Sequence, residues 1–301
     1  NDGDGQPVLA LHGWLDNAAS FLPMAPYLRE LDLVALDMPG HGHSVHLPPG
    51  TDYGFPLALN TLLDVADALG WESFCLLGHS MGAGLASLLA AACPQRVERL
   101  AVIEMLGALA EVPERTAARM REAIAQRGRS GRGLRVFPDV DTAVRARLQS
   151  QRVPGTGLEA AQLRLLVERG LRAVDGGFVW RSDPRLVQPT MIRMTEAQID
   201  DVLRAIECPT LAVFADPAQP YLPDAERRRR VALLPRGRMA VLPGGHHLHM
   251  QQGQVELGNA QQAQDCRSGH KGHQHGQGLD LGDFAQPLLD GIDHFITHRL
   301  D

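Results

Sequence analysis

The chain has 301 residues, 44% of them hydrophobic and 21% charged, with 31 Gly and 20 Pro. That length suits one large α/β domain, or a core with a small accessory domain, and the composition excludes collagen-like repeats, disulfide-dense scaffolds and wholesale disorder. A net charge of −6, from 29 basic against 35 acidic residues, gives no global electrostatic footprint for nucleic acid.

The first 106 residues alternate short apolar runs with amphipathic stretches, the rhythm of a parallel sheet wrapped by helices. Pro7 to Leu11 reads as a buried-type strand ended by His12-Gly13-Trp14, and Leu31 to Leu36 as a second, ended by Asp37-Met38-Pro39-Gly40-His41-Gly42. Residues 56–69 carry Leu57, Leu59, Leu62, Leu63, Ala66 and Leu69 near one face, a helix stopped by Gly70. Phe74 to Leu77 is a third strand, Met81 to Ala92 a helix closed by Pro94, and Leu100 to Ile103 a fourth strand.

From 107 to 206 strand-like runs vanish, and Arg-rich helical stretches are expected near 114–127, 139–152, 158–173 and 195–206, interrupted at Gly128-Arg129-Ser130-Gly131-Arg132-Gly133. Strand rhythm returns at Thr210 to Phe214 and Met239 to Leu242. A last helix is expected near 284–298. The chain therefore divides into a sheet domain, 1–106 with 207–301, and an inserted helical cap, 107–206. Residues 251–282, rich in Gln, Gly and His, lack the apolar content to offset ordering entropy, so disorder is the expectation there. Cys266, His270, His273 and His275 within that stretch match no common zinc spacing.

The basic residues comprise 28 Arg and the single Lys271, which reads as genomic bias, although guanidinium groups also suit carboxylate and phosphate binding; the arginines of the 107–206 stretch read as solvating an exposed face. Cys75 and Cys93 read as small buried residues, and Cys75, Cys93, Cys208 and Cys266 form no CxxC pair. No apolar run approaches the length of a membrane span, and no basic stretch followed by an apolar run stands at the start of the given sequence. No membrane partner and a cytoplasmic location are the default expectations. No Walker loop and no dinucleotide-binding GxGxxG follow a strand, and no metal ligand set is spaced convincingly. No cofactor is expected.

The sharpest motif is Gly78-His79-Ser80-Met81-Gly82, a G-x-S-x-G between an apolar strand and an Ala/Leu-rich helix. A strand-to-helix turn this tight forces its central residue into strained backbone angles and demands small neighbours. Ser80 Oγ would then project above the carboxyl end of the sheet, at the N-terminus of a helix whose N–H groups favour an oxyanion. A serine hydroxyl needs a base. The candidates lie in Gly244-Gly245-His246-His247-Leu248-His249, directly after the last core strand, with His246 favoured and His247 next.

Taken together, Gly78-His79-Ser80-Met81-Gly82, His12-Gly13-Trp14, Asp37-Met38-Pro39-Gly40-His41-Gly42-His43-Ser44 and Gly245-His246 resemble the α/β-hydrolase superfamily over residues 7–106 and 207–250. Trp180-Arg181-Ser182-Asp183-Pro184-Arg185 resembles its serine hydrolase-like subgroup. The resemblance implies an α/β-hydrolase fold, a mostly parallel sheet flanked by helices with an inserted helical cap. It also implies about a β-hairpin's worth of chain before Asn1. The backbone N–H groups of Trp14 and Met81 would form the oxyanion hole. Serine at position 80 argues against the dehalogenase and epoxide hydrolase chemistries of this fold, which use Asp there.

The acid of the triad departs from the common pattern. Ala215-Asp216-Pro217-Ala218 has Ala218 where the usual Asp would fall, with Asp216 two positions early. Glu104, ending the strand Ala101-Val102-Ile103, is the favoured alternative because some relatives supply the acid from that strand end. His12, His41 and Asp37 read as loop-bracing groups. The resulting expectation is a serine hydrolase that cleaves a small-molecule carboxylic ester or thioester through an acyl-enzyme, with Leu163, Leu165, Leu166, Leu171, Phe178 and Trp180 lining the pocket or filling the cap's core. The competing readings are a C–C hydrolase or perhydrolase using the same triad, a non-turnover ligand-binding protein on a hydrolase scaffold, and an enzyme damaged by the 251–282 insert.

Overall fold

The computed structural model describes residues 5–127, 134–150 and 157–251. The expected helix at 284–298, the 252–282 part of the Gln/Gly/His stretch, its Cys and His residues, and the 128–133 interruption lie outside the described residues.

Six parallel strands form the central sheet: β1 (Gln6–Leu11), β2 (Leu31–Leu36), β3 (Phe74–His79), β4 (Val97–Ile103), and two later strands introduced here as β7 (Thr210–Asp216) and β8 (Gly237–Pro243), in the order β2-β1-β3-β4-β7-β8. Alternate residues face opposite layers, as the pleat requires. Leu9, Leu11, Leu76, Leu100, Val102, Ala212 and Phe214 face one layer, which includes Leu62, Leu85 and Leu89. Val8, Ala10, Cys75, Leu77, Ala101, Ile103 and Val213 face the other, against Phe21, Met24 and Leu28 of the loop after β1. Burial on both faces explains why these strands read as continuous apolar runs rather than as alternation.

Helix α1 (Phe55–Ala68) and helix α2 (Met81–Ala92) belong to the first layer. Gly82, Ala83, Gly84, Ala86 and Ala90 of α2 are buried, and these small residues let its backbone lie close to the sheet. Chain order reverses across β1, with β2 on one side and β3 on the other. In open parallel sheets the crevice above such a switch point is where ligands sit. Here it lies between the loop after β1 and the turn after β3.

Between β4 and β7 come α3 (Thr116–Gln126), α4 (Val140–Gln149), α5 (Ala160–Gly170) and α6 (Glu196–Arg204), the inserted helices of a cap. The sequence expectation of a strand-free insertion is corrected here. An antiparallel hairpin, β5 (Leu171–Val174) and β6 (Gly177–Trp180), follows α5 directly and replaces the helix expected to run to 173. Gly176 and Gly177 make the turn with positive φ of 81° and 142°, and Asp175-Gly176 is a recognised hairpin signal. Leu163, Leu166 and Leu171 fill the cap's own core with Phe137 and Val144, and Phe178 and Trp180 pack against it. A further helix, α7 (Asp224–Val231), connects β7 to β8; its four successive arginines give it no apolar stripe to mark it in the sequence.

The Trp180–Arg185 motif staples cap to core. Asp183 accepts the Tyr53 hydroxyl at 2.6 Å and its N–H donates to the Gly40 carbonyl at 2.8 Å. Arg185 folds back on Asp183 at 2.6 Å and also reaches the carbonyls of Leu47 and Pro48.

Candidate active site

β3 runs straight into α2 through one residue, Ser80, at φ 51° and ψ −112°. A non-glycine residue at positive φ costs about 1–3 kcal/mol and persists only where its surroundings over-determine it. They do so here: the Ser80 N–H donates to the Ile103 carbonyl at 2.9 Å, and the Gly82 N–H to the His12 carbonyl at 3.1 Å. The flanking glycines are a steric requirement. A Cβ on Gly78 would lie 2.5 Å from Ala83 Cα, and one on Gly82 would run into the Leu11 carbonyl oxygen. Sequence therefore enforces the turn, and the turn aims Ser80 away from the helix it begins.

After β8, Gly244 at φ 150° turns the chain, and its N–H donates to the Asp216 carbonyl at 3.2 Å. The Gly245 N–H donates to Gln251 Oε1 at 3.0 Å, and buried His79 donates from Nε2 to the His246 carbonyl at 2.8 Å. This loop brings His246 Nε2 to 3.0 Å from Ser80 Oγ. His246 Nδ1 lies 3.5 Å from Glu104 Oε2. Ser80, His246 and Glu104, drawn from three different strand ends, thus form one chain of contacts. Asp216, exposed at the end of β7, lies outside it among the described contacts.

Glu104 is fully buried and itself sits at a positive φ of 61°. Its N–H donates to the Val213 carbonyl at 2.9 Å, while Oε1 accepts the Ala215 N–H at 2.6 Å and approaches Arg227 Nη2 at 3.4 Å. Arg227 is buried as well. It also donates to the Ala215 and Leu222 carbonyls at 2.6 and 2.9 Å and lies over the Phe214 ring. Glu104 Oε2 has no hydrogen-bond partner among the described residues and faces the imidazole.

Two groups at the site had no signal in the sequence. Tyr221, on the loop between β7 and α7, places its hydroxyl 2.8 Å from His246 Nδ1. Loss of solvent at that hydroxyl, together with the Glu104 charge, pushes its pKa up, so it stays a neutral phenol. Buried Asp16, from the loop after β1, takes His247 Nε2 at 2.9 Å on one oxygen and Arg147 of α4 at 2.9 Å on the other. Burial alone would raise the Asp16 carboxyl, but the charge and hydrogen bond of His247 and the charge of Arg147 outweigh it and hold the group well below the ordinary range. His79, wholly buried and flanked by His249, His246 and His247, is held well below the ordinary histidine value, first by burial and then by those neighbours. It is therefore neutral. With its proton on Nε2, its Nδ1 faces Asp16 at 3.9 Å. Asp16, His79 and His247 are the one grouping with the atoms to hold a metal ion among the described residues. The hydrogen bond from His247 and the Arg147 ion pair already account for the Asp16 carboxylate.

His12 accepts the Met38 N–H at Nε2, 3.0 Å, and contacts the Gly13 carbonyl at 2.7 Å. Asp37 accepts the N–H groups of Ala18 and His43 at 2.8 and 2.7 Å and binds Arg169 of α5. Both are loop braces. Trp14 is half exposed, and its indole N–H donates to the Leu186 carbonyl of the cap at 2.9 Å. A cavity of about 390 Å³ opens between cap and core, lined by Leu15, Asn17, Arg147, Leu166, Trp180 and Val187 among others. Of the six cap residues expected at a pocket, Leu166 and Trp180 line it. No helix among the described residues is long and apolar enough to cross a membrane.

Comparison with known proteins agrees with this architecture. A family model described as alpha/beta hydrolase fold matches residues 6–134. A serine hydrolase-like protein of Dictyostelium discoideum is 33% identical over 262 residues, covering 82% of this chain and 71% of that protein. The crystal structure of the hypothetical protein PA1622 from Pseudomonas aeruginosa PAO1 is 41% identical with a TM-score of 0.76, covering 82% of this chain and 86% of the other. A thioesterase domain from the curacin biosynthetic pathway is 26% identical with a TM-score of 0.70, covering 82% and 87% of the two chains. On fold, motif order and relatedness, the chain belongs to the α/β-hydrolase superfamily and is homologous to its serine hydrolase-like members.

Proposed function

We propose that the protein is a serine hydrolase that cleaves a carboxylic ester or thioester through an acyl-enzyme at Ser80. The observation that carries this reading is the Ser80 hydroxyl, held at a positive-φ strand-to-helix turn, 3.0 Å from His246 Nε2. In the working tautomer His246 carries its proton on Nδ1, facing Glu104, and offers the Nε2 lone pair to Ser80. As Ser80 Oγ bonds to the substrate carbonyl carbon, its proton passes to Nε2. The carbonyl π pair moves onto oxygen, which becomes the oxyanion.

The N–H of Met81, in the first turn of α2, has no intrahelical acceptor, and the α2 dipole favours negative charge at that end. With the Trp14 N–H it makes the oxyanion hole. Collapse of the tetrahedral intermediate breaks the bond to the leaving alkoxide or thiolate, which takes the proton from His246 Nε2. Water, deprotonated by the same nitrogen, then attacks the acyl-enzyme, and Ser80 recovers its proton. Glu104 stabilises the imidazolium formed in both halves, and Arg227 holds Glu104 in place.

The cap, residues 107–206 in this reading, selects the substrate; the 390 Å³ cavity between cap and core is lined by Leu15 and Asp16 of the loop after β1 and not by Ser80 or His246. Kinship to a thioesterase domain supports including thioesters. A fluorophosphonate probe tests the reading: intact mass should show one adduct on the wild-type protein and none on Ser80→Ala. A folded wild-type protein that takes no adduct would sink it and leave the non-turnover binding protein in its place.

A further inference from the structure

His246 Nδ1 has two suitors, and they make opposite demands on it. Glu104 Oε2 is a buried carboxylate oxygen, 3.5 Å away and without a hydrogen-bond partner among the described residues, which can only accept. The Tyr221 hydroxyl is nearer, at 2.8 Å, and His246 Nδ1 is its one recorded hydrogen-bond partner among the described residues. An imidazole lone pair is a better acceptor than a phenol oxygen, and a phenol is the better donor. The short contact is therefore satisfied best when Tyr221 donates. That places the imidazole proton on Nε2, pointing at Ser80 Oγ 3.0 Å away. In this tautomer His246 cannot receive the serine proton.

We infer that Tyr221 is a positioning residue that competes with Glu104 for His246 Nδ1 and holds part of the resting protein in the tautomer that cannot activate Ser80. The inference rests on the serine hydrolase reading for its consequence, though not for its geometry. Arg227 approaches Glu104 Oε1 at 3.4 Å and donates to the backbone carbonyl of Leu222, the chain neighbour of Tyr221, at 2.9 Å, so one guanidinium ties the Glu104 side chain to the backbone beside Tyr221. A second bond, from the Leu222 N–H to the Gln219 carbonyl at 3.0 Å, fixes the turn that presents the phenol. These bonds hold the backbone that carries Tyr221, while its half-exposed side chain meets His246 through the hydroxyl contact and a ring edge. Turning the hydroxyl proton, or the side chain, away from Nδ1 frees that nitrogen to carry a proton towards Glu104.

Tyr221→Phe removes the donor and keeps the ring, and Tyr221 is exposed enough for the variant to fold. The direct measurement is long-range ¹H–¹⁵N correlation on histidine-labelled protein, with the His246 ring assigned by its loss in His246→Gln. The wild type should show a population with the proton on Nε2, and Tyr221→Phe should show Nδ1–H alone. With p-nitrophenyl butyrate as probe, kcat should rise roughly three- to tenfold while KM stays within about twofold, because the change acts on proton transfer rather than on binding.

A wild-type ring already wholly Nδ1–H, or a mixed ring that persists in Tyr221→Phe, overturns the inference. So does a tautomer shift accompanied by a fall in kcat in protein that takes the fluorophosphonate adduct. If neither protein takes that adduct while the tautomer still shifts, the hydrolase reading fails and the competition at Nδ1 stands.

Discussion

Two neighbouring histidines, each beside a buried carboxylate, do different work in this molecule. His246 faces Glu104 with one nitrogen and Ser80 with the other. His247 donates to Asp16, whose second oxygen is held by Arg147 of the cap. The chemical pairs are nearly the same, and the histidines sit on one five-residue turn. What separates them is where the second nitrogen and the second carboxylate oxygen point. Glu104 leaves Oε2 open towards an imidazole that ends on a hydroxyl at a strained turn, whereas both oxygens of Asp16 are engaged in a network joining core to cap. A histidine–carboxylate contact therefore says little about catalysis until the atoms on either side of it are named.

The sharpest way to break this contrast is to remove each arm in turn. Ser80→Ala and His246→Ala should each lower kcat/KM for an acyl ester by about 10³-fold or more, while His247→Ala stays within about tenfold. Comparable losses for His246 and His247 would erase the distinction. At the carboxylates, Glu104→Gln should cost about 10²- to 10⁴-fold in kcat because the neutral amide no longer stabilises the imidazolium. Asp216→Asn should leave the rate within about twofold; a larger loss would move the acid role to β7.

Stability should separate the two arms in the same order. Arg227→Met leaves Glu104 charged in a site where both partners are 1% exposed or less, so urea unfolding should register a loss of about 3–5 kcal/mol. Arg147→Met removes a guanidinium that is 28% exposed from a carboxylate that keeps His247, and about 1 kcal/mol or less is expected. Equal effects would mean that the cap-side network carries as much of the fold as the buried clamp.

The smallest effect is acid sensitivity. Burial raises the Asp37 carboxyl, but hydrogen bonds from Arg169 and the Ala18 and His43 N–H groups outweigh it, and the folded-state value lies below the ordinary one. Such a group contributes stability above its unfolded-state pKa and loses it as pH falls through the folded value. Between about pH 5 and pH 2, Asp37→Asn should therefore flatten the fall of Tm relative to wild type. Parallel curves would show that Asp37 is not linked to acid unfolding.

Much of the scaffold was legible because its signals are local. Helix α2 begins at Met81 and ends at Ala92 as read, since glycines and a serine stand before it and Pro94 after it. The central strands β1, β3, β4 and β7 announced themselves as apolar runs because both sheet faces are covered there. The β5–β6 hairpin was missed although Asp175-Gly176-Gly177 signalled it, because the leucine spacing of α5 runs on into Leu171 and masks the change of period. Helix α7 was missed for a different reason. Its four arginines show no apolar periodicity to read, yet Arg227 and Arg230 are 1% and 3% exposed. Arg230 donates to the Leu106 and Ala108 carbonyls at 2.8 and 2.9 Å. A buried arginine is tolerable only with partners from distant segments, and those partners leave no trace in the local pattern.

The sequence by itself determined the strand–helix alternation, the tight turn at Ser80 and the inserted helices, because periodicity, glycine placement and proline act within a few residues of where they occur. Packing of distant segments settles which carboxylate stands at His246, which histidine turns to Ser80, and that the Tyr221 hydroxyl also reaches His246 Nδ1. Those choices are set by distances of a few ångströms between residues separated by up to 166 positions. Only the packed sheet, with its strand ends gathered on one edge, brings such residues within reach of one another.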